Sequence, residues 1–160
     1  MTGLTATIRL ARPQESAVIA RLSRDRIEHG LGWSWTPERV QRSIAASDIN
    51  AAVAIAHAAP IGFGIMKYQD DEAHLLLLAV QAASERHGVG TALVGWLEAC
   101  ARTAGVGQVV LETRAANAGA RAFYRRLGYG EIQRVPGYYQ GVETSVRMAK
   151  DLWLEQPASA

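Results

Sequence analysis

Residues 75–112 constrain the fold most, because they combine a buried strand, a glycine-rich loop, a helix and a second strand. The run Leu75–Val80 is uniformly apolar, which predicts a central strand buried on both faces. The loop Gln81–Gly88 follows, and apolar residues at helical spacing then predict a helix over about Val89–Ala104. Gln108–Glu112 returns as a strand. We therefore expect a right-handed strand–helix–strand unit, which is typical of an α/β fold.

The residues before this unit predict one strand and two helices. Thr5–Leu10 alternates as a strand. A helix is expected over about Gln14–Glu28, where Val18 and Leu22 supply a thin apolar stripe. A second helix is predicted to begin after Thr36, because a threonine followed by proline and glutamate is typical of a helix N-terminus.

A hairpin precedes the buried strand, and a helix and two strands follow the unit. Ala51–Ala58 and Ile61–Lys67 flank an Ala-Pro turn at residues 59–60, which predicts the hairpin. Asn117 is a suitable N-cap for a last helix, and Gly128 is a suitable C-terminal stop for it. The closing strands are expected around Gly130–Val135 and Thr144–Ala149. The order βααβββαβαββ predicts an α/β fold with a mixed central sheet of about six to seven strands and about four flanking helices.

Composition and charge fit one globular domain. The chain has 160 residues, of which 49% are hydrophobic, so we expect residues 1–155 to form one domain and Gln156–Ala160 a flexible tail. Lysine and arginine (17) against aspartate and glutamate (15) leave a net charge of +2, which gives no support for a nucleic-acid partner. One cysteine cannot form an intramolecular disulfide. No apolar run approaches the ~20 residues of a spanning helix and no signal peptide is recognisable, so we expect a cytoplasmic protein with no membrane partner.

Glu85–Thr91 has the composition of an anion-binding loop at a helix start. Glycines at positions 88 and 90 let the backbone approach a ligand closely, and the first N–H groups of a helix have no acceptor within it. With the positive end of the helix dipole and Arg86 beside them, these groups suit a pyrophosphate. A tight turn without a ligand would use the same residues. The spacing to Glu112 also allows a dinucleotide fold, although the third glycine of that fingerprint would fall at Leu93.

Three runs in this region resemble one enzyme family. They are LLLLAV (75–80), ERHGVGTALV (85–94) and LETRAANAGARAFYRRLGY (111–129). In order and spacing they resemble the strand, pyrophosphate loop, helix, strand and helix of the Gcn5-related N-acetyltransferase (GNAT) superfamily. Within it the chain is most similar to the bacterial ribosomal-protein alanine N-acetyltransferase (RimI-like) group, because GYYQGVETSVRMAKDL (137–152) resembles the tyrosine-pair loop and final strand of N-terminal acetyltransferases.

The resemblance implies an acetyltransferase that uses acetyl-CoA as co-substrate and no metal. It implies that backbone groups at the end of the buried strand bind the pantetheine arm and thioester, that the glycine loop holds the pyrophosphate, and that an asparagine contacts the cofactor. These residues are Leu78, Ala79, Val80, Arg86, His87, Gly88, Val89, Gly90, Thr91 and Asn117. The first loop position, commonly arginine or glutamine, is Glu85 here, so we expect its carboxylate to point away from the phosphates.

The resemblance makes Glu112 the general base and Tyr124 the general acid. The chemistry of amide formation agrees, because only a neutral amine attacks a thioester. Deprotonation at pH 7 costs ~1 kcal/mol for an α-amine of pKa ~7.8 and ~4.6 kcal/mol for a lysine of pKa ~10.4. A carboxylate at a strand end can accept that proton directly or through one water. The alternative is structural: an exposed charge at Glu112 and ring packing of Tyr124 beside Phe123.

Aromatic residues mark two loops that admit the amine in the family. Trp33 and Trp35 lie between the first two helices, and Tyr138 and Tyr139 lie in the last loop, predicted over Pro136–Gly141. Aromatic side chains on loops favour a recognition surface. At least one of the four is expected to cap the core instead.

These features predict direct transfer in a ternary complex, with a protein or peptide N-terminal α-amine as the preferred acceptor. One alternative is a small-molecule amine such as an amino acid, an antibiotic or a polyamine. Another is a non-catalytic acyl-CoA-binding domain on the same fold. His29, His57 and His74 lack the spacing of metal ligands. A monomer and a homodimer are both compatible with the sequence.

Overall fold

In the described part of the chain, seven strands and four α-helices follow one another in the order βααβββαβαββ that the sequence predicts. The computed structural model describes residues 5–28, 32–139 and 143–154. The strands are β1 (Thr7–Leu10), β2 (Ile49–Ala56), β3 (Ala59–Tyr68), β4 (Ala73–Val80), β5 (Gln108–Arg114), β6 (Gly130–Tyr139) and β7 (Glu143–Asp151). The α-helices are α1 (Ser16–Arg26), α2 (Pro37–Ala45), α3 (Val89–Thr103) and α4 (Ala118–Arg126). The strands form a mixed sheet in the order β1-β2-β3-β4-β5-β7-β6, which confirms the predicted fold class.

The residues group into two compact units. One comprises Met1–Lys67 and Leu75–Cys100, and the other comprises Tyr68–His74 and Ala101–Ala160. The tail predicted for Gln156–Ala160 lies outside the described residues. Within the described ranges, no helix is long and apolar enough to cross a membrane.

In the first unit, β2 and β3 form the predicted hairpin, but its turn is not at residues 59–60. The turn residues are His57 and Ala58, whose φ angles of +52° and +62° are of the sign that a type I′ turn requires. Pro60 lies within β3, where the pairing with β2 shifts register opposite Ile55. A proline is tolerated at such an irregularity because no regular ladder hydrogen bond is needed from it.

The helix α1 buries a different face from the one predicted. Its buried residues are Ser16, Ile19, Ala20 and Ser23. Leu22 is only partly buried against the core, which also contains Trp35, Val40, Phe63 and Ile65. Serine and alanine are small, so this face can lie close to its neighbours. Val18 and Leu22 lie on the adjacent face and are half-buried, so the predicted stripe is correct only in part.

The strand β4 is buried on one face rather than on both. Leu75, Leu77 and Ala79 are buried, and the residues between them are half-buried. Because side chains alternate along a strand, Leu78 and Val80 share the half-buried face. The prediction of full burial was therefore wrong, and this face of β4 is only partly covered.

In the second unit, β7 pairs antiparallel with β5 and with β6. Glu112 of β5 stands directly opposite Arg147 of β7. β6 extends to Tyr139, so the loop predicted over Pro136–Gly141 is wrong for residues 136–139, and residues 140–142 lie outside the described ranges. β6 is an edge strand, where a proline can lie with no ladder partner for its missing N–H.

The helix α4 begins and ends where the sequence predicts. The Asn117 Oδ1 accepts a hydrogen bond from the Ala120 N–H at 2.9 Å, as an N-cap does. Gly128 follows the helix with a φ of +99°, a conformation that favours glycine. The Tyr129 N–H then bonds the Tyr124 carbonyl at 3.0 Å, which closes the C-terminal turn.

We expect Gly62→Ala to destabilise the chain and Gly95→Ala to stabilise it. A Cβ on Gly62 would lie 3.0 Å from the Ala79 carbonyl oxygen and 3.3 Å from side-chain atoms of Leu93 and Val80. The free energy of unfolding, measured by urea titration, should fall by about 1–3 kcal/mol. Gly95 lies in α3 with no atom within 4 Å of an added Cβ, so alanine there should gain about 0.5–1 kcal/mol. A Gly62→Ala variant as stable as wild type would contradict the close packing of β3 on α3.

Candidate active site

The Glu112 carboxylate is buried and held on two sides by side chains of neighbouring strands. Only 8% of its side chain is exposed. The His74 Nε2, near the start of β4, lies 2.6 Å from Oε1, and the Arg147 Nη1 donates to Oε2 at 2.8 Å. All three residues belong to the second unit. The position and orientation of this carboxylate are therefore fixed by the protein.

The network extends from Glu112 to a second acid. The Arg147 Nη2 lies 3.7 Å from Glu72, so one guanidinium bridges two carboxylates. A carboxylate has about four lone-pair positions and can accept from more than two donors. Because one nitrogen of His74 faces Glu112, the pair can pass a proton between a group at the other ring nitrogen and the carboxylate.

Sequence reasoning found Glu112 but missed His74 and Arg147. His74 lacks metal-ligand spacing, and nothing in the local sequence links Arg147 to Glu112. His74 carries a signal, because it is a polar residue within a mainly apolar strand, whereas Arg147 lies in a strand with several other polar residues. Their meeting with Glu112 depends on strand register, which the sequence does not give. Within the described part of the chain, no group of three or more His, Cys, Asp or Glu side chains could hold a metal ion.

Tyr124 lies buried in α4, in the same unit as Glu112. Its ring meets the ring of Phe123 at 5.0 Å and that of Tyr129 at 5.7 Å between centroids, both edge-on. The packing beside Phe123 that the sequence suggested is therefore present. A phenol held in this way has a fixed ring plane, and its hydroxyl is able to donate a proton.

Asn117 is oriented by its capping role. Its Oδ1 is engaged by the Ala120 N–H at the start of α4, so the side-chain amide is turned with Nδ2 away from that contact. Toward a ligand, this residue can therefore act as a hydrogen-bond donor.

The predicted anion loop belongs to the first unit and has an unusual backbone. Arg86 and Gly88 have φ angles of +66° and +77°. The first hydrogen bond of α3 runs from the Ala92 N–H to the Gly88 carbonyl at 3.0 Å, so the N–H groups of the residues before Ala92 precede the helical ladder. A Cβ added to Gly88 would meet nothing within 4 Å. These features suit an anion in front of the loop.

Glu85 is paired with a cation from α1. Its Oε2 lies 2.6 Å from the Arg26 Nη2, and half of its side chain is exposed. The negative charge at the first loop position is therefore offset by an adjacent guanidinium. In β4, which precedes the loop in sequence, Leu78 and Val80 lie on the half-buried face and Ala79 on the buried face.

The two tryptophans before α2 have different environments. Trp33 is 41% exposed, and the Arg24 guanidinium lies 5.2 Å from its ring centroid. Trp35 is 9% exposed and belongs to the core, as expected for at least one of the four aromatics. Tyr138 and Tyr139 end β6 rather than lying in a loop, and their side chains are outside the described structure.

The model of the acetyltransferase (GNAT) family matches residues 18–129. The chain belongs to this family. The match contains the anion loop and the segment that carries Glu112, Asn117 and Tyr124. It confirms the resemblance seen in the sequence.

Individual GNAT relatives agree with the subgroup indicated by the sequence. An uncharacterized N-acetyltransferase of Methanocaldococcus jannaschii is 38% identical over 48% of this chain and 50% of its own length. The ribosomal protein bS18-alanine N-acetyltransferase of Salmonella typhimurium is 39% identical over 54% of this chain and 61% of its own length. The chain thus spans about half to three-fifths of the curated relatives it matches. The crystal structure of the Escherichia coli ribosomal-protein alanine N-acetyltransferase is 27% identical, with a TM-score of 0.76 over 92% of this chain and 94% of that one.

Cys100 should behave as an unreactive thiol in the folded GNAT domain. Burial raises the pKa of Cys100, although a side-chain hydrogen bond with Asn50 acts in the opposite direction. Because the thiolate is the reactive form, maleimide labelling at pH 7.5 should be about tenfold or more slower than in the urea-unfolded chain. Equal labelling rates in the folded and unfolded chain would contradict the prediction that Cys100 is an unreactive thiol.

Proposed function

We propose that the chain transfers the acetyl group of acetyl-CoA directly to the α-amine at the N-terminus of a protein or peptide, in a ternary complex. The observation that carries the proposal is a buried carboxylate, Glu112, oriented by His74 and Arg147 in a chain of the GNAT family. The similarity to ribosomal protein bS18-alanine N-acetyltransferases supports this class of acceptor.

In this proposal the anion loop and β4 bind the co-substrate. Bound acetyl-CoA supplies a thioester, whose acyl group is activated toward an amine. The unobstructed Gly88 and the N–H groups that precede the α3 ladder support a pyrophosphate site. Asn117 adds a side-chain donor. The residues assigned to the pyrophosphate are Arg86, His87, Gly88, Val89, Gly90 and Thr91, and those assigned to the pantetheine arm and thioester are Leu78, Ala79 and Val80.

Glu112 acts as the general base in this proposal. The carboxylate takes the proton that the attacking amine loses, either directly or through the ring of His74, which lies 2.6 Å away. Arg147 compensates the negative charge buried on β5 and holds the carboxylate in one orientation. Tyr124 donates a proton to the departing thiolate, so the new C–N bond forms and the C–S bond breaks without net charge separation.

The acceptor is assigned to the aromatic residues. Trp33, exposed before α2, contacts the acceptor together with Tyr138 and Tyr139, while Trp35 supports the segment from within the core. An α-amine suits a single carboxylate base, because its deprotonation at pH 7 costs ~3.5 kcal/mol less than that of a lysine.

We expect Glu112→Gln and Tyr124→Phe to lower kcat by about 10²–10⁴-fold, because each removes a proton-transfer group. The measurement is release of free CoA from acetyl-CoA in the presence of peptides with free N-termini. Glu131→Gln is the matched control, because Glu131 is an exposed carboxylate of the same unit that pairs with Arg125. Its kcat should stay at the wild-type value. An unchanged kcat in both catalytic variants would exclude these roles.

The same assay separates the classes of acceptor. The wild-type chain is given N-terminal peptides, N-terminally blocked lysine peptides, polyamines and aminoglycosides. Turnover of free N-terminal peptides that is lost on blocking supports the proposal. Turnover only with small amines would leave the GNAT chemistry but exclude the peptide acceptor, and binding of acetyl-CoA without turnover would favour a binding domain.

We expect Arg26→Gln to weaken acetyl-CoA binding by about two- to fivefold, the scale of an exposed ion pair. The substitution removes the ion-pair partner of Glu85. The negative charge of Glu85 is then uncompensated at the start of the anion loop. Isothermal titration with acetyl-CoA measures the change, which should shrink at high salt. The double variant Arg26→Gln/Glu85→Gln should restore wild-type affinity. A double variant as weak as Arg26→Gln alone would contradict the role given to Glu85.

A further inference from the structure

A second buried carboxylate, Glu28, ties the end of α1 to the segment before α2. The residue is 6% exposed. Its Oε1 accepts from the Ser34 N–H at 2.7 Å and from the Ser34 hydroxyl at 2.6 Å, and its Oε2 accepts from the Ser23 hydroxyl at 3.0 Å. The Trp35 N–H lies 3.3 Å from both oxygens. One side chain thus binds two consecutive backbone N–H groups across a gap in sequence.

The residues that Glu28 binds are also held from α2. The Arg39 guanidinium lies 3.9 Å from the centroid of the Trp35 ring, and its Nη1 donates to the Ser34 carbonyl at 3.5 Å. The Thr36 hydroxyl accepts from the Arg39 N–H at 3.3 Å and caps α2. The Trp35 ring is part of the core. Residues 34–36 are therefore held by Glu28 at the end of α1, by Arg39 of α2 and by the packing of Trp35 in the core.

The exposed Trp33 directly precedes this fixed segment. Its side chain is exposed, and its ring lies beside the Arg24 guanidinium. A large aromatic side chain on a rigid backbone loses little conformational entropy when it binds a ligand. The segment therefore presents Trp33 in a preorganised way, and Glu28 supplies the hydrogen bonds that set its backbone.

We propose that Glu28 is a positioning residue for the acceptor: it fixes Ser34 and Trp35 so that Trp33 is held ready to contact the amine substrate. This inference rests on the proposed function, because it takes Trp33 to contact the acceptor. An apolar side chain at position 28 would leave the N–H groups of Ser34 and Trp35 without this acceptor. The carboxylate is thus suited to organising the segment and takes no part in proton transfer.

Glu28→Gln tests the inference, because an amide NH₂ cannot accept the hydrogen bonds that a carboxylate oxygen accepts. The KM for an N-terminal peptide should rise about tenfold, the scale of one lost charge-assisted hydrogen bond. The KM and Kd for acetyl-CoA should stay within about twofold of wild type, as should the pH profile of kcat. Glu98→Gln is the matched control, because Glu98 is a buried carboxylate of the same unit on α3. It should leave the peptide KM unchanged.

A double-mutant cycle with Trp33→Ala distinguishes positioning from a general loss of order. If Glu28 acts through Trp33, Glu28→Gln should raise the peptide KM much less in a Trp33→Ala background than in wild type. Independent effects that multiply would overturn the inference. If Glu28→Gln does not fold, Ser34→Ala removes one donor to the carboxylate and should give the same split between peptide and acetyl-CoA at smaller size.

The two proposals fail in different ways. Wild-type turnover of peptides with an unchanged peptide KM in Glu28→Gln would overturn the positioning role alone. Absence of wild-type turnover with every amine in the panel would overturn the proposed function, and the acceptor role of Glu28 with it.

Discussion

A carboxylate that leaves water must find its hydrogen-bond donors within the protein, and two such carboxylates organise this chain. Glu112 is satisfied by an imidazole and a guanidinium from neighbouring strands. Glu28 is satisfied by hydroxyls and backbone N–H groups between two helices. The donors differ in kind, and so do the consequences. Its charged and titratable partners leave Glu112 suited to proton transfer. The backbone N–H groups that Glu28 binds make it a residue that fixes the conformation of the segment before α2.

Close approach of backbone elements is the second constraint. Ser16, Ala20 and Ser23 let α1 lie against its neighbours, and Gly62 leaves room for the side chains of α3 beneath β3. The loop before α3 also depends on a residue without a side chain, because the space next to Gly88 is open. Small residues thus set both the packing of the first unit and the access to its backbone N–H groups.

The sequence predicts those features that depend on neighbouring residues. The element order, the caps at Thr36 and Asn117 and the helical stop at Gly128 follow from local chemistry, and the structure has them. The predicted position of the hairpin turn is wrong because proline favours turns but is also tolerated at a strand irregularity, where Pro60 lies.

The features that the sequence does not predict depend on contacts between residues far apart in the chain. His74 and Arg147 lie 38 and 35 positions from Glu112 along the chain, and only strand pairing brings them to it. The sequence does not predict the burial of Glu28, because an acid near a helix end is usually solvated; its burial depends on contacts with Ser34 and Trp35. The family resemblance supplied Glu112 and Tyr124 but no partner for either.

Because Glu112 and Arg147 stand directly opposite each other in the β5–β7 ladder, the site depends on the register of these two strands. Successive residues of a strand point to opposite faces, so a slip of β7 by one position would bring Val146 or Met148 opposite Glu112. A one-residue insertion within β7 that shifted its pairing with β5 would move the Arg147 guanidinium away from the Glu112 carboxylate, although the chain would still contain both residues. The electrostatics of this site therefore depend on the register between β5 and β7 as much as on the identity of the residues.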